Sequence, residues 1–141
     1  MGTAHLTDAI HSLTVAVWDG DVSAAEWRNH LDGLARDSNL PACRLFLADI
    51  RGAADLSSLD DSHIEAMASR FAGFAPVGSK VAIVASHIFD GAQKYQRRMT
   101  LSSVQADVFL DVATACRWLN VDLAVASDAI TNIRSRMHSR P

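Results

Sequence analysis

Asp49 and Arg51 stand two residues apart at the end of the apolar run LFLADI, and Ser86-His87 follow a second run, KVAIVA. In open α/β sheets, ligands gather outside the carboxyl ends of the strands. These four side chains are therefore candidates for one ligand- or partner-binding surface, with Leu110-Asp111 as a third strand end of the same kind. An Asp, a Ser and a His brought close also invite comparison with a nucleophilic triad. The comparison is poor, because no G-x-S-x-G elbow occurs and sequence neighbours such as Ser86 and His87 seldom let one act as base to the other. The plainer expectation is that Asp49 and Arg51 pair with each other or with loop amides, while Ser86 or His87 caps the helix that follows.

A further cluster is basic. Lys94, Arg97 and Arg98 flank Tyr95, and this face could receive an anionic ligand or an acidic partner, with Tyr95 and Arg98 as its candidate contacts. Its simpler role is a solvated helix surface. The six histidines (His5, His11, His30, His63, His87 and His138) form no HxH, HxxxH or HExxH pattern, so no metal site is expected. His30 and His63 are expected on the wet faces of helices. Neither G-x-G-x-x-G nor a P-loop pattern occurs, and no cofactor is implied.

Composition narrows the classes further. The chain has 141 residues, of which 49% are hydrophobic and 21% charged, with a formal net charge of −3. That is enough apolar material for one continuous core, and the charge argues against general nucleic-acid binding, which needs a basic footprint. Arg134, Arg136 and Arg140 make the last residues basic, which reads as a solvated end. No apolar run reaches the roughly 20 residues that cross a bilayer, and Met1 to Ile10 is too short and too polar for a signal peptide. Cys43 and Cys116 form no CxxC pair, so a cytoplasmic protein with two reduced, buried cysteines is expected.

The elements that must position these residues can be read from periodicity. Ser12 to Trp18 alternates with period two and reads as a strand, with Ala4 to Thr7 as a short partner across a turn at Asp8 to His11. Asp19-Gly20-Asp21 ends it. Ser23 and Glu26 form a capping box for a helix from Ala24 to Arg36 that buries Trp27, Leu31 and Leu34. Leu45 to Ile50 and Lys80 to Ala85 are apolar on both faces, as central strands under helices must be. Between them, a helix begins near Asp60 to Ser62, capped by Ser58 or Ser62, and runs to Phe74. A helix from Phe89 to Thr100, a strand from Val104 to Leu110, and a short helix capped by Asp111 complete the alternation. The last segment carries Leu123, Ala126, Ile130, Ile133 and Met137 as one stripe, which either folds onto its own sheet or pairs with the same helix of a second subunit. The expected fold is α/β: a small, mostly parallel sheet of four to five strands with alternating amphipathic helices (1–120), followed by a C-terminal helix and basic tail (121–141).

In order, the segments LTVAVWDGDVSAAEW, LFLADIRG, KVAIVAS, DGAQKYQRRM and VFLDVATACRWL resemble the bacterial STAS-like proteins, which share the fold of the anti-sigma-factor antagonists. The resemblance spans about Leu6 to Leu119 and rests on apolar patterning with Gly20, Glu26, Asp49, Arg51, Gly91, Val108-Phe109 and Trp118-Leu119. It implies a regulatory or ligand-sensing module. In the antagonists, a phosphorylated serine follows a central strand, and the matching stretch here holds Ser57, Ser58 and Ser62 without the compact Asp-Ser-Ser-Gly type of motif. Phosphorylation of Ser58 or Ser62 would gain from the helix N-terminus but would be opposed by Asp55, Asp60 and Asp61. The leading expectation is a non-enzymatic module that binds an unidentified protein or small molecule through the strand-end loops. The alternatives are an enzyme of undetected type using Asp49, Ser86 or His87, and a carrier of a small apolar ligand. Helices this short are expected to leave no room for the large cavity a carrier needs.

Overall fold

Alternation along the second strand sends Leu13, Val15 and Val17 into one apolar cluster and Trp18 into another, so each face of the sheet has its own core. The computed structural model describes residues 2–54, 60–86, 90–102 and 104–138, and shows five strands in the order β1-β2-β3-β4-β5. They are β1 (Gly2–Asp8), β2 (Leu13–Gly20), β3 (Leu45–Ala53), β4 (Lys80–Val84) and β5 (Gln105–Phe109). The β1–β2 pair is antiparallel and all later pairs are parallel.

This linear order decides where the helices lie. Each crossover from β2 to β5 steps in the same direction, and parallel crossovers share one hand, so their helices fall on one face. Those helices are α1 (Ala24–Arg36), α2 (Asp61–Phe74) and α3 (Asp90–Leu101). Trp27, Leu31, Met67, Phe71 and Met99 from these helices share a cluster with Phe46, Val81 and Ile83 of the sheet. Only chain after β5 remains to cover the other face. Helices α4 (Val112–Leu119) and α5 (Leu123–His138) do so, placing Cys116, Leu119, Ala126, Ile130 and Ile133 on Leu13, Val15, Leu47 and Val84. Lys80 fixes α4 further, with its ammonium 4.2 Å from the Trp118 ring centroid and donating to the Trp118 carbonyl at 2.9 Å.

The helix caps are mostly those the sequence indicates. Ser23 accepts from the Glu26 amide at 3.2 Å, and its own amide donates to the Glu26 carboxylate at 3.3 Å. Asp111 caps α4 by accepting from the Thr114 amide at 2.7 Å. At α2 the cap differs: Asp60, not Ser62, occupies the position, accepting from the His63 amide at 3.0 Å. A carboxylate is favoured there by the helix dipole, and Ser62, inside the first turn, donates its hydroxyl to Asp60 at 2.8 Å. Ser58 and His87 lie outside the described residues.

Strand β3 also runs past its expected end. Arg51-Gly52 continues it to Ala53, because a register shift between Val17 and Asp19 aligns Asp19 with Gly52 and Gly20 with Ala53. A Cβ at Gly52 would meet an Asp19 carboxylate oxygen at 2.5 Å, so a larger residue there would displace the Asp19 side chain. On α5 the apolar stripe packs against the chain's own sheet. Leu123 leaves the stripe and is 45% exposed, while Val121 and Val125 make the packing contacts at that end. Cys43 and Cys116 are buried and unbridged.

Candidate functional site

The expected Asp49–Arg51 pair exists, and it belongs to the α4/α5 side of the sheet. Alternation along β3 turns Leu47 and Asp49 to that side, opposite Phe46, and Asp49 is fully buried there. Arg51 Nε donates to Asp49 Oδ1 at 2.9 Å, and Arg51 Nη2 to Oδ2 at 2.9 Å. The Arg51 amide adds a third bond to Oδ1 at 3.1 Å. Arg134 then reaches in from α5, its Nη2 donating to Oδ2 at 2.9 Å. A residue of the supposedly solvated tail is therefore a strut between helix and sheet. The hydrogen bond to Asp49, followed by the attraction of that carboxylate, raises the Arg51 guanidinium against the opposing effect of burial. With both oxygens held by two arginines, Asp49 is not available to orient a base near Ser86.

The basic face of α3 is also largely engaged within the chain. Lys94 pairs with Asp61 at 2.5 Å and Arg98 with Glu65 at 2.6 Å, one helical turn further along both α2 and α3. The acidic surface considered as a partner is thus, for these two residues, the neighbouring helix. Tyr95 points elsewhere, into the space beneath α3.

That space is a cavity of about 520 Å³ between the sheet and α1, α2 and α3. It corrects the expectation that short helices leave no room. Its origin is visible in the register: Ala16 of β2 lies opposite Ala48 of β3, and both line the cavity. Ala53, Ala54, Ala85, Gly91 and Ala92 extend the small-residue lining toward the carboxyl ends of the strands. The helices rest on larger neighbours, including Trp18, Phe46 and Ile83, so the alanine row beneath them stays unfilled by side chains. Protein interiors are otherwise close-packed, and a volume of this size falls within the range of small-molecule sites.

Most of the wall is apolar, with Ile64, Met67 and Phe71 from α2 among its contributors. The polar exceptions are few and separated by depth. Asp61, Ser86 and Lys94 stand near the strand carboxyl ends, while Thr14 and His30 are buried in the wall and Tyr95 is half-buried. Thr14 is 2% exposed and its hydroxyl has no hydrogen-bond partner. His30 is 9% exposed, contrary to its expected wet position. Trp27, His30, Leu31 and Leu34 are all buried, at the i, i+3, i+4, i+7 spacing of one helix face, so the signal was present in the sequence. The His30 ring meets His5 edge to face at 5.8 Å, and His5 is bonded to Asp37 at 3.0 Å. Burial, and then the charge of His5, pull the His30 imidazole from its ordinary 6.5 to about 4. Burial pushes the Tyr95 phenol up.

Of the binding candidates named from the sequence, the structure brings Ser86 and Tyr95 to the cavity and places Asp49 and Arg51 on the opposite face. Among the described residues, no helix is long and apolar enough to cross a membrane, and no cluster of three or more His, Cys, Asp or Glu could hold a metal ion. Compared with known proteins, the chain matches no family model and no curated sequence.

Two measurable consequences follow. Replacing one partner of a buried ion pair strands the other, at about 3–5 kcal/mol where both are desolvated. The two arginines here are 35% and 34% exposed and can rehydrate. Asp49→Ala should therefore cost somewhat less, about 2–3 kcal/mol in urea unfolding. Arg134→Ala should cost about 1 kcal/mol, since Arg51 still holds the carboxylate, and the two changes together should be less than additive.

The second consequence concerns pH. His30 titrates near 4 in the folded chain and at its ordinary 6.5 when unfolded, so between those values the unfolded state holds more protons. Stability should thus be unaffected above 6.5 and fall as pH drops toward 4, by about 3 kcal/mol for a shift of this size. The carboxyls of Asp8, Asp19, Asp60 and Asp111 lie below their ordinary 3.8, held first by bonds from His11, His138, the His63 amide and the Thr114 amide, so their contribution is lost in a separate, more acidic window. Thermal unfolding of His30→Leu across this range should show the upper slope removed and the lower one kept.

Proposed function

We propose that this chain is a non-enzymatic, STAS-like binding module whose ligand is a small, largely apolar molecule held between the sheet and helices α1 to α3. The observation that carries this reading is the cavity of about 520 Å³ with its row of facing alanines. Its place supports the reading as well, since it reaches the carboxyl ends of β3 and β4 at Ala54 and Ser86, where ligands of open α/β sheets collect. The order of apolar segments that resembles the STAS-like proteins, together with the mixed five-stranded sheet, is compatible with such a module. The ion pairs Lys94–Asp61 and Arg98–Glu65 join two of the covering helices, so entry of a ligand would be felt at the surface of α2 and α3.

The test is saturable binding of the uncharged fluorescent probe N-phenyl-1-naphthylamine. Wild type should bind it with an enhanced, blue-shifted emission. Ala48→Phe places a ring in the cavity and should weaken binding by about tenfold or more, with urea stability unchanged or increased. Absence of saturable binding to wild type, or undiminished binding to a folded Ala48→Phe protein, would refute the reading.

A further inference from the structure

We propose that the ligand carries an uncharged hydrogen-bonding group (a hydroxyl, carbonyl or amide), and that His30 and Tyr95 recognise it inside the cavity. The inference rests on the cavity being the ligand site and names the chemistry that site selects.

His30 and Tyr95 enter the cavity wall from two different helices, α1 and α3. Neither forms a hydrogen bond with the described residues: His30 makes only the ring contact with His5, and Tyr95 is among the cavity-lining residues without one. The Thr14 hydroxyl, from the sheet, is a third polar group of the wall without a partner. Buried polar groups are nearly always satisfied, so the buried Thr14 hydroxyl and His30 ring, with the half-buried Tyr95 phenol on the same wall, point to a ligand that brings polar partners. A neutral imidazole offers one donor and one acceptor, and a phenol can do either. That set matches a hydroxyl or an amide, which likewise donate and accept, and it can also donate to a carbonyl.

The same wall disfavours charge. Asp37 is occupied by His5 and Thr7, and Glu26 by the amide of Ser23. The pair formed by Lys94 and Asp61 sits at the strand-end rim, engaged with itself. No unengaged ion faces His30 or Tyr95 from the described parts of α1, α2, α3 or the sheet, so a carboxylate or ammonium taken into the interior would lose hydration without gaining a counter-ion. Burial, which keeps the imidazole neutral and the phenol protonated, acts in the same sense. His30 also borders a groove of about 320 Å³ with His5 and Glu26.

Displacement of N-phenyl-1-naphthylamine by four compounds of similar size tests the inference: octan-1-ol, octanoate, octylammonium and butylbenzene, near neutral pH. Octan-1-ol should bind about tenfold or more tightly than either ion, because its hydroxyl is matched and their charges are not. In the double variant His30→Leu, Tyr95→Phe, octan-1-ol should weaken by about tenfold while butylbenzene stays within about twofold. Tyr95→Phe removes only a hydroxyl, His30→Leu also gives up the ring contact with His5, and urea unfolding of the variant verifies its integrity. Equal or tighter binding of octanoate or octylammonium, or an unchanged affinity for octan-1-ol in a folded double variant, would overturn the inference while leaving an apolar site standing. Failure of both butylbenzene and octan-1-ol to bind wild type would remove the cavity reading and this inference with it.

Discussion

Strand β3 runs through the middle of the sheet, and its pleat sends Ala48 to one side and Asp49 to the other. Successive side chains of a strand cannot share a face, so this one dipeptide gives the two halves of the molecule opposite characters. Asp49 is a buried charge, which is tolerable only if the surroundings close around it and pair it. Arg51 and Arg134 do so, and α5 is held to the sheet as a result. Ala48 is the reverse case, a side chain too small to reach the helices above it, and the cavity opens over it.

The topology makes this asymmetry stable. Three helices come from crossovers that all step the same way, so they must lie together over the alanine side. They are joined at the surface by exposed ion pairs, which contribute little individually. The two later helices are tied down by Asp49, by Lys80 against Trp118, and by a continuous apolar stripe. One face is thus fastened by a buried ion triad as well as apolar packing, and the other by an apolar cluster that surrounds the cavity.

Much of this was legible in the residues. Period-two and continuous apolar runs located the strands, and Ser23 with Glu26 located the start of α1. Where sequence and structure part, two residues compete for one role or the answer depends on register. Ser62 and Asp60 both suit a helix start, and the carboxylate took it. The extension of β3 follows from a shift beside Trp18 that no local pattern marks. His30 was misplaced because its type suggested water although its spacing suggested burial. The cavity was the hardest to foresee, since alanine is ordinary in a strand and becomes informative only when Ala16 is seen to face Ala48. Position at the strand ends marks Asp49, Arg51 and Ser86, and basic neighbours mark Tyr95; the sheet uses Asp49 and Arg51 structurally, while Ser86 and Tyr95 line the cavity.

The pairing of Ala16 with Ala48 has an evolutionary corollary. Both side chains face away from the Asp49 lock, with the thickness of the sheet between them and the helices that lock secures. Side chains there can lengthen or shorten by a methyl group at a time, redrawing the shape of the chamber, while the ion triad continues to hold the opposite layer. A lineage built on this architecture could therefore reshape this space through drift at two or three wall positions, without first acquiring stabilising substitutions elsewhere.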